Sequence, residues 1–160
     1  MKNKEEKTNA IRLLEQKKLQ FAVHDYSQSD ALSGMEVADY LQENPDRVFK
    51  TLVTVGKSAG HYVFLVPVSR ELDLKKAAKA VNEKSIDMIK AKELLPLTGY
   101  IHGGCSPVGM KKFFPTVIDA SAENFDKIFF SGGKIGLQIE MSLSELPKII
   151  TFKLADISVQ

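Results

Sequence analysis

The sequence predicts a single mixed α/β domain, with a largely antiparallel sheet and helices packed around it. Three observations carry this expectation. The 160 residues suffice for one domain with a sizeable core. A hydrophobic content of 44% and a charged content of 26% match an ordinary soluble globular protein. Strand-like and helix-like runs interleave without a strict βαβ rhythm, and adjacent strands are joined by hairpin-sized loops.

The elements follow in order. Thr8 caps a first helix whose apolar side carries Ile11 and Leu14, with Leu13 beside them. Phe21 to Tyr26 reads as a short strand, and residues 27–33 as a polar loop. Ser33-Gly34-Met35-Glu36 forms a capping box, opening a helix with Val37, Ala38 and Leu41 on its apolar face. Asn44-Pro45-Asp46 ends that helix. Val48 to Val55 and Tyr62 to Val68 are β-rich runs on either side of a hairpin loop, residues 56–61. Asp73 or a neighbour starts a helix through Lys75 to Asn82. Ile86 to Ile89 is a short strand, and Ala91 to Leu95 a short helix stopped by Pro96. Thr116 to Asp119 is a strand and Ser121 to Phe125 a helical turn. Ile128 to Phe130 and Leu137 to Ile139 are strands flanking a glycine-rich loop. Ser142-Leu143-Ser144-Glu145 reads as a further capping box opening a short helix, and Ile149 to Phe152 as the last strand.

Composition excludes several classes. The charged opening residues 1–7 lack the apolar core of a signal peptide and are expected to be a flexible segment ahead of a domain over 8–160. No apolar run is long enough to cross a bilayer, so a cytoplasmic protein is expected. Cys105 is the only cysteine, which rules out an internal disulfide and a CxxC metal site. Net charge is +2, from 22 basic and 20 acidic residues, too weak by itself to mark a nucleic-acid binder. Two local basic groups stand out, Lys75, Lys76 and Lys79, and Lys111 and Lys112. Solvated surface lysines account for either group taken alone.

Glycine is concentrated. Four of the ten glycines lie in Thr98-Gly99-Tyr100-Ile101-His102-Gly103-Gly104-Cys105-Ser106-Pro107-Val108-Gly109, and three more in Ser131-Gly132-Gly133-Lys134-Ile135-Gly136. Such loops serve either as tight turns or as sites whose backbone N–H groups converge on an anion or a developing oxyanion. A protein nucleophile is poorly supported. No Gly-x-Ser-x-Gly elbow surrounds any serine. His102 and Cys105 could form a thiolate pair, yet a lone cysteine is more often a small packed residue. No set of metal-ligand spacings occurs, and Gly132-Gly133-Lys134 lacks the phosphate-loop pattern. Lys50, in Phe49-Lys50-Thr51-Leu52-Val53, is expected to be partly buried. Its ammonium either meets an acceptor or anionic ligand, or snorkels to water from the strand end.

The ordered set of Phe49-Lys50-Thr51-Leu52-Val53, Gly99-Tyr100, Gly103 to Gly109 and Ser131 to Leu137 resembles the YbaK branch of the YbaK/ProX aminoacyl-tRNA editing domains. Thr8-Asn9-Ala10 with Leu13-Leu14, and His24-Asp25-Tyr26, fit the same pattern. The resemblance runs from about Lys7 to Ile157. It implies a curved, mixed central sheet surrounded by helices. It also implies a trans-acting Cys-tRNA(Pro)/Cys-tRNA(Cys) deacylase that removes cysteine misattached to tRNA(Pro), transiently beside prolyl-tRNA synthetase. Under it Lys50 is the residue needed for activity. Tyr26, Thr51, Gly103, Gly104, Ser106, Ser131 and Gly132 fall where the family binds the aminoacyl end, and Leu32 is a candidate pocket-lining apolar residue. The family's proposed chemistry uses the substrate's own thiol to attack the ester and leave as a thiolactone, with no cofactor, metal or protein nucleophile. Two positions depart from the pattern: Cys105 where many relatives carry an aliphatic residue, and Ile135 where an arginine is common. Two alternatives stand beside this expectation. One is an Ala-tRNA(Pro) deacylase with water as nucleophile, and the other a non-catalytic adaptor for tRNA or a synthetase.

Overall fold

The computed structural model describes residues 7–159 of the chain. Most of the segment 1–7 expected to be flexible therefore lies outside the described residues. Lys7 lies within them, its Nζ 2.7 Å from Glu15 Oε1. The described chain forms four helices and ten strands: α1 (Asn9–Gln16), β1 (Ala22–Asp25), α2 (Gly34–Leu41), β2 (Phe49–Gly56), β3 (His61–Pro67), β4 (Glu71–Leu72), α3 (Leu74–Ala80), β5 (Ile86–Met88), α4 (Ala91–Thr98), β6 (Thr116–Asp119), β7 (Lys127–Ser131), β8 (Leu137–Ser142), β9 (Phe152–Ala155) and β10 (Ser158–Val159). The expected mixed α/β class is what the chain adopts.

The strands divide among open sheets. Five form a mixed sheet in the order β5-β2-β3-β6-β9, antiparallel across β5-β2-β3 and parallel across β3-β6-β9. Three form an antiparallel sheet, β1-β8-β7, and β4 pairs with β10. Period-2 alternation explains why β3 is apolar throughout its buried part, Val63 to Pro67. Val63 and Leu65 face one core with Ile118, Phe130, Ile139 and α1's Ala10, Ile11 and Leu14. Phe64 and Val66 face the other, with Ala77 and Ala78 of α3 and Ile157. A strand buried on both sides reads as a continuous hydrophobic run.

The two larger sheets meet at the start of β2, through a parallel bridge between Val48 and Phe129. Phe129 is fully buried there among Ala38, Val48 and Val68. The Arg47 guanidinium lies 5.2 Å over its ring, and the His24 ring 5.1 Å from it. Glu140 ties both side chains in, accepting from Arg47 Nη2 at 3.3 Å and sitting 2.8 Å from His24 Nε2.

Three segments depart from the sequence expectation. Pro96 does not stop α4, which runs on to Thr98 and ends at left-handed Gly99. The missing proline N–H withholds the i−4 bond from the carbonyl of Lys92, an exposed residue. The last turn is closed instead by Gly99 N–H to Leu95 O, 2.9 Å, and Thr98 Oγ1 to Leu94 O, 2.8 Å. The expected capping box at Ser142 to Glu145 does not form. Ser142 Oγ accepts from Ser144 N–H, and Glu145 turns its carboxylate to Lys148, 2.8 Å away. A 3-10 turn, Leu146–Lys148, follows. The last long strand starts at Phe152 rather than Ile149, with Ile149 N–H still held by Leu146 O in that turn.

Phe129→Ala should lower stability by about 3–5 kcal/mol, because it empties the joint between the sheets. A urea midpoint close to that of the unaltered protein would contradict this. Asp119 supplies a pH-dependent part of the stability. It is buried, and burial opposes ionisation. Hydrogen bonds from Ser121 and from Ile157 N–H (3.0 Å) outweigh that and hold its carboxyl below the usual value. A depressed native pKa stabilises fully above the unfolded value of about 4 and is lost as pH falls through the native one. Asp119→Asn should therefore cost stability near neutrality, and the gap should narrow below about pH 4. Denaturant titrations from pH 3 to 7 measure this.

Candidate functional site

The site lies where β2 changes neighbours. Val68 N–H bonds Val48 O and Gly56 N–H bonds Gly60 O, both at 2.7 Å, so the even-numbered residues of β2 bond to β3. Odd-numbered Thr51 therefore turns its backbone groups to the other side. There β5 pairs with β2 only from Thr54 onward, and β7 bridges only to Val48, just ahead of β2. The gap between these partners opens a cleft of about 280 Å³, bounded by Val48 and β2 residues Phe49 to Val53, the α2 and α4 starts and both glycine loops.

Five expected site residues line this cleft together: Tyr26, Lys50, Thr51, Gly103 and Ser131. Leu32 lines it as well, 80% exposed at the mouth. Lys50 keeps 29% of its side chain accessible, and Glu71 Oε2 lies 3.6 Å from its Nζ. Glu71 is highly exposed, and such a pair contributes about 0–1 kcal/mol. The ammonium is therefore free to take an anionic or polar ligand. Tyr26 is buried by its own backbone ties, with N–H to Gly136 O at 2.7 Å and its carbonyl accepting from Ser29 N–H and Oγ.

Gly104, Ser106 and Gly132 stand behind the wall and do not line the cleft. Ser106 is fully buried and accepts from Val108 N–H at 3.2 Å, which shapes the loop. A Cβ on Gly104 would come within 2.8 Å of Lys134 Cα and 3.0 Å of Ile135 N, so only glycine allows the two loops to touch. Gly132 N–H bonds Leu137 O at 2.8 Å. Gly103 has φ +86, a glycine conformation, and faces the cleft. The N–H groups of Gly104, Gly132 and Gly133 are committed inside the protein. Those of Gly103 and Cys105 carry no hydrogen bond among the described residues. Helix α1 clamps both loops: Thr8 Oγ1 donates to Gly132 O at 2.6 Å, and Asn9 Nδ2 to Gly109 O at 2.9 Å.

Cys105 lines the cleft but is 7% exposed, and burial pushes its thiol up to about 11. That matches a packed residue and not a thiolate nucleophile paired with His102, which is exposed on the same wall. Among the described residues no three His, Cys, Asp or Glu side chains group to hold a metal. Sequence reasoning missed Gln138, 7% exposed, whose Oε1 has no partner and which lines the cleft. Thr51 Oγ1 is likewise buried without a partner. A polar residue inside the apolar run Leu137 to Ile139 was the available signal. These two orphaned oxygens, a hydroxyl and an amide oxygen, both belong to cleft-lining residues, each costing about 1–3 kcal/mol while unmatched.

Residues 29–149 match the aminoacyl-tRNA editing domain family. A relative from Enterococcus faecalis, provisionally named Cys-tRNA(Pro)/Cys-tRNA(Cys) deacylase EbsC, is 42% identical across 99% of this chain and 98% of its own length. A crystal structure described as a provisionally assigned trans-editing enzyme for prolyl-tRNA synthetase is similar in fold. Its TM-score is 0.85 at 24% identity, covering 95% of this chain and 96% of that one. A scaffold protein carrying a grafted epitope gives a TM-score of 0.84 at 24% identity, with the same coverage.

Iodoacetamide at pH 7.5 should alkylate Cys105 in the folded protein on the order of a hundredfold more slowly than free cysteine, since little thiolate is present. Mass spectrometry over time reads this, and labelling at the free-cysteine rate would contradict the buried placement.

Proposed function

The chain belongs to the aminoacyl-tRNA editing domain family, and from that membership we propose that it is a trans-acting deacylase removing cysteine from mischarged Cys-tRNA(Pro). The editing domain spans 8–160, and the enzyme works in the cytoplasm in transient company with prolyl-tRNA synthetase. The observation that carries this reading is the cleft itself. It offers a free ammonium, unmatched backbone donors and orphaned acceptors, with its one thiol held protonated.

Such a site suits a substrate that brings its own nucleophile. The cysteinyl sulfur attacks the ester carbonyl, forming a C–S bond. The C–O bond to the terminal ribose breaks, and the thiol proton passes to the leaving ribose oxygen. The product is a thiolactone, which water later opens to free cysteine. The protein supplies orientation, and a well-placed intramolecular attack contributes on the order of 7 kcal/mol or more. Lys50 holds the ribose or phosphate end of the substrate. Gly103 and Cys105 N–H groups take the developing oxyanion. Thr51 Oγ1 and Gln138 Oε1 accept from the substrate's ammonium. Tyr26 and Ser131 close the walls. Gly104, Ser106 and Gly132 act through the loop shape they impose.

Lys50→Ala should reduce deacylation of Cys-tRNA(Pro) at least a hundredfold, on the order of what a lost charged contact in the transition state costs, with an unchanged melting temperature. Full activity in this variant would overturn the assignment of the site.

A further inference from the structure

We infer that the loop following α4 is a binding surface for unpaired RNA, with Phe113 as a stacking platform and Lys111 and Lys112 as phosphate contacts. The inference rests on the deacylase reading for the identity of the RNA, the unpaired 3′ end that precedes the aminoacylated nucleotide.

Phe113 is 73% exposed, while its neighbour Phe114 packs into the core with its ring 5.9 Å from His61 in an edge arrangement. The buried partner anchors the loop and leaves Phe113 presented to solvent. Lys111 and Lys112 directly precede it, and both are exposed. Among the described residues the lysines in ion pairs are Lys7, Lys50, Lys76 and Lys148, so neither of these two is neutralised. From Leu94 through Ile118 the chain carries no aspartate or glutamate. The nearest carboxylate in sequence, Asp119, is buried and held by Ser121 and Ile157 N–H groups, and Glu93, before the patch, lies at the opposite end of α4 and accepts from Lys90 N–H at 2.9 Å.

Position links this patch to the cleft. Ala91, at the start of α4, lines the cleft, and Lys111 N–H bonds Thr98 O, at the helix end, at 2.9 Å. Seven residues of helix separate the two points by about 10 Å. Between them the loop carries His102 and Gly103 on the cleft wall and half-exposed Ile101. A chain of nucleotides leaving the cleft meets exposed apolar surface, then two lysines and an aromatic ring. Aromatic side chains interleaved with basic ones are how single-stranded nucleic acid is held without base-specific contacts. The patch also offers a basic contact elsewhere in a chain that carries Ile135 on the second glycine loop.

The test is steady-state deacylation of Cys-tRNA(Pro) by Phe113→Ala and Lys111→Ala/Lys112→Ala, with melting temperatures as the control for folding. Loss of one stacked base weakens binding by about 5- to 150-fold. Phe113→Ala should therefore raise KM within that range and leave kcat unchanged. The double lysine variant should flatten the log–log salt dependence of kcat/KM by about 1.4, as expected for two phosphate contacts on a single strand. Unchanged KM and salt slope in both variants would overturn the inference. So would an effect seen only with prolyl-tRNA synthetase present, which assigns the patch to a protein partner. Should the unaltered protein deacylate nothing, the deacylase reading fails. Anisotropy with uncharged tRNA then judges the patch alone, and variants binding as tightly as the parent would overturn it.

Discussion

Everything at the site depends on one close approach, that of the Gly104 backbone to the backbone of Lys134 and Ile135. A Cβ at Gly104 would sit 2.8 Å from Lys134 Cα, inside any real contact distance. Removing it lets two loops from distant parts of the chain share one wall. The start of α1 then locks them in place, because its N-cap Thr8 donates to Gly132 O and its first residue Asn9 to Gly109 O. Bonds to Ile101 O, Leu137 O and Ser131 Oγ within and between the loops consume the N–H groups of Gly104, Gly132 and Gly133, and Gly103 is left at the cleft. The glycine richness therefore has two causes: packing sets most of the loop, and the ligand-facing surface is a small remainder.

The cleft is equally a consequence of sheet topology. A strand with two complete neighbours presents only side chains to a ligand. β2 is bordered by β5 at one end and touched by β7 at the other, so its middle is left open. Lys50 and Thr51 occupy that opening, on opposite faces of the strand. The joint that fixes the opening is built around Phe129, with Arg47, His24 and Glu140 packed and paired about it. This arrangement places a charged group and backbone donors together while keeping the local thiol buried and protonated. The proposed substrate, which carries its own nucleophile, suits such a site.

Much of this was legible in the sequence where the cause is local. The β2–β3 hairpin, the Ser33 to Glu36 capping box and the Asp73 cap depend on neighbouring residues, and each forms as expected. The misses have non-local causes. Pro96 stays helical because the carbonyl it strands faces water. Ser142 to Glu145 has the letters of a capping box, but Lys148 captures the glutamate. At the site, Lys50 and Gly103 stand out by residue type in context and Thr51 through the family resemblance alone, and all three line the cleft. Gln138 was missed, since one polar residue in an apolar strand is a weak signal until its neighbours show that its oxygen is left unmatched. Ser106 and Gly104 look like ligand contacts in a glycine-rich string, and only the packed structure shows them turned inward.

The account stands or falls on the nucleophile. Cys-tRNA(Pro) and Ala-tRNA(Pro) differ by one sulfur atom, on the same RNA and the same ester. Single-turnover deacylation of the two by the unaltered protein separates substrate-thiol attack from attack by water. The account predicts cysteine release on the order of a hundredfold or more faster than alanine release, the advantage of an intramolecular nucleophile. Equal rates for the two substrates would contradict it and place a water molecule at the centre of the cleft's chemistry.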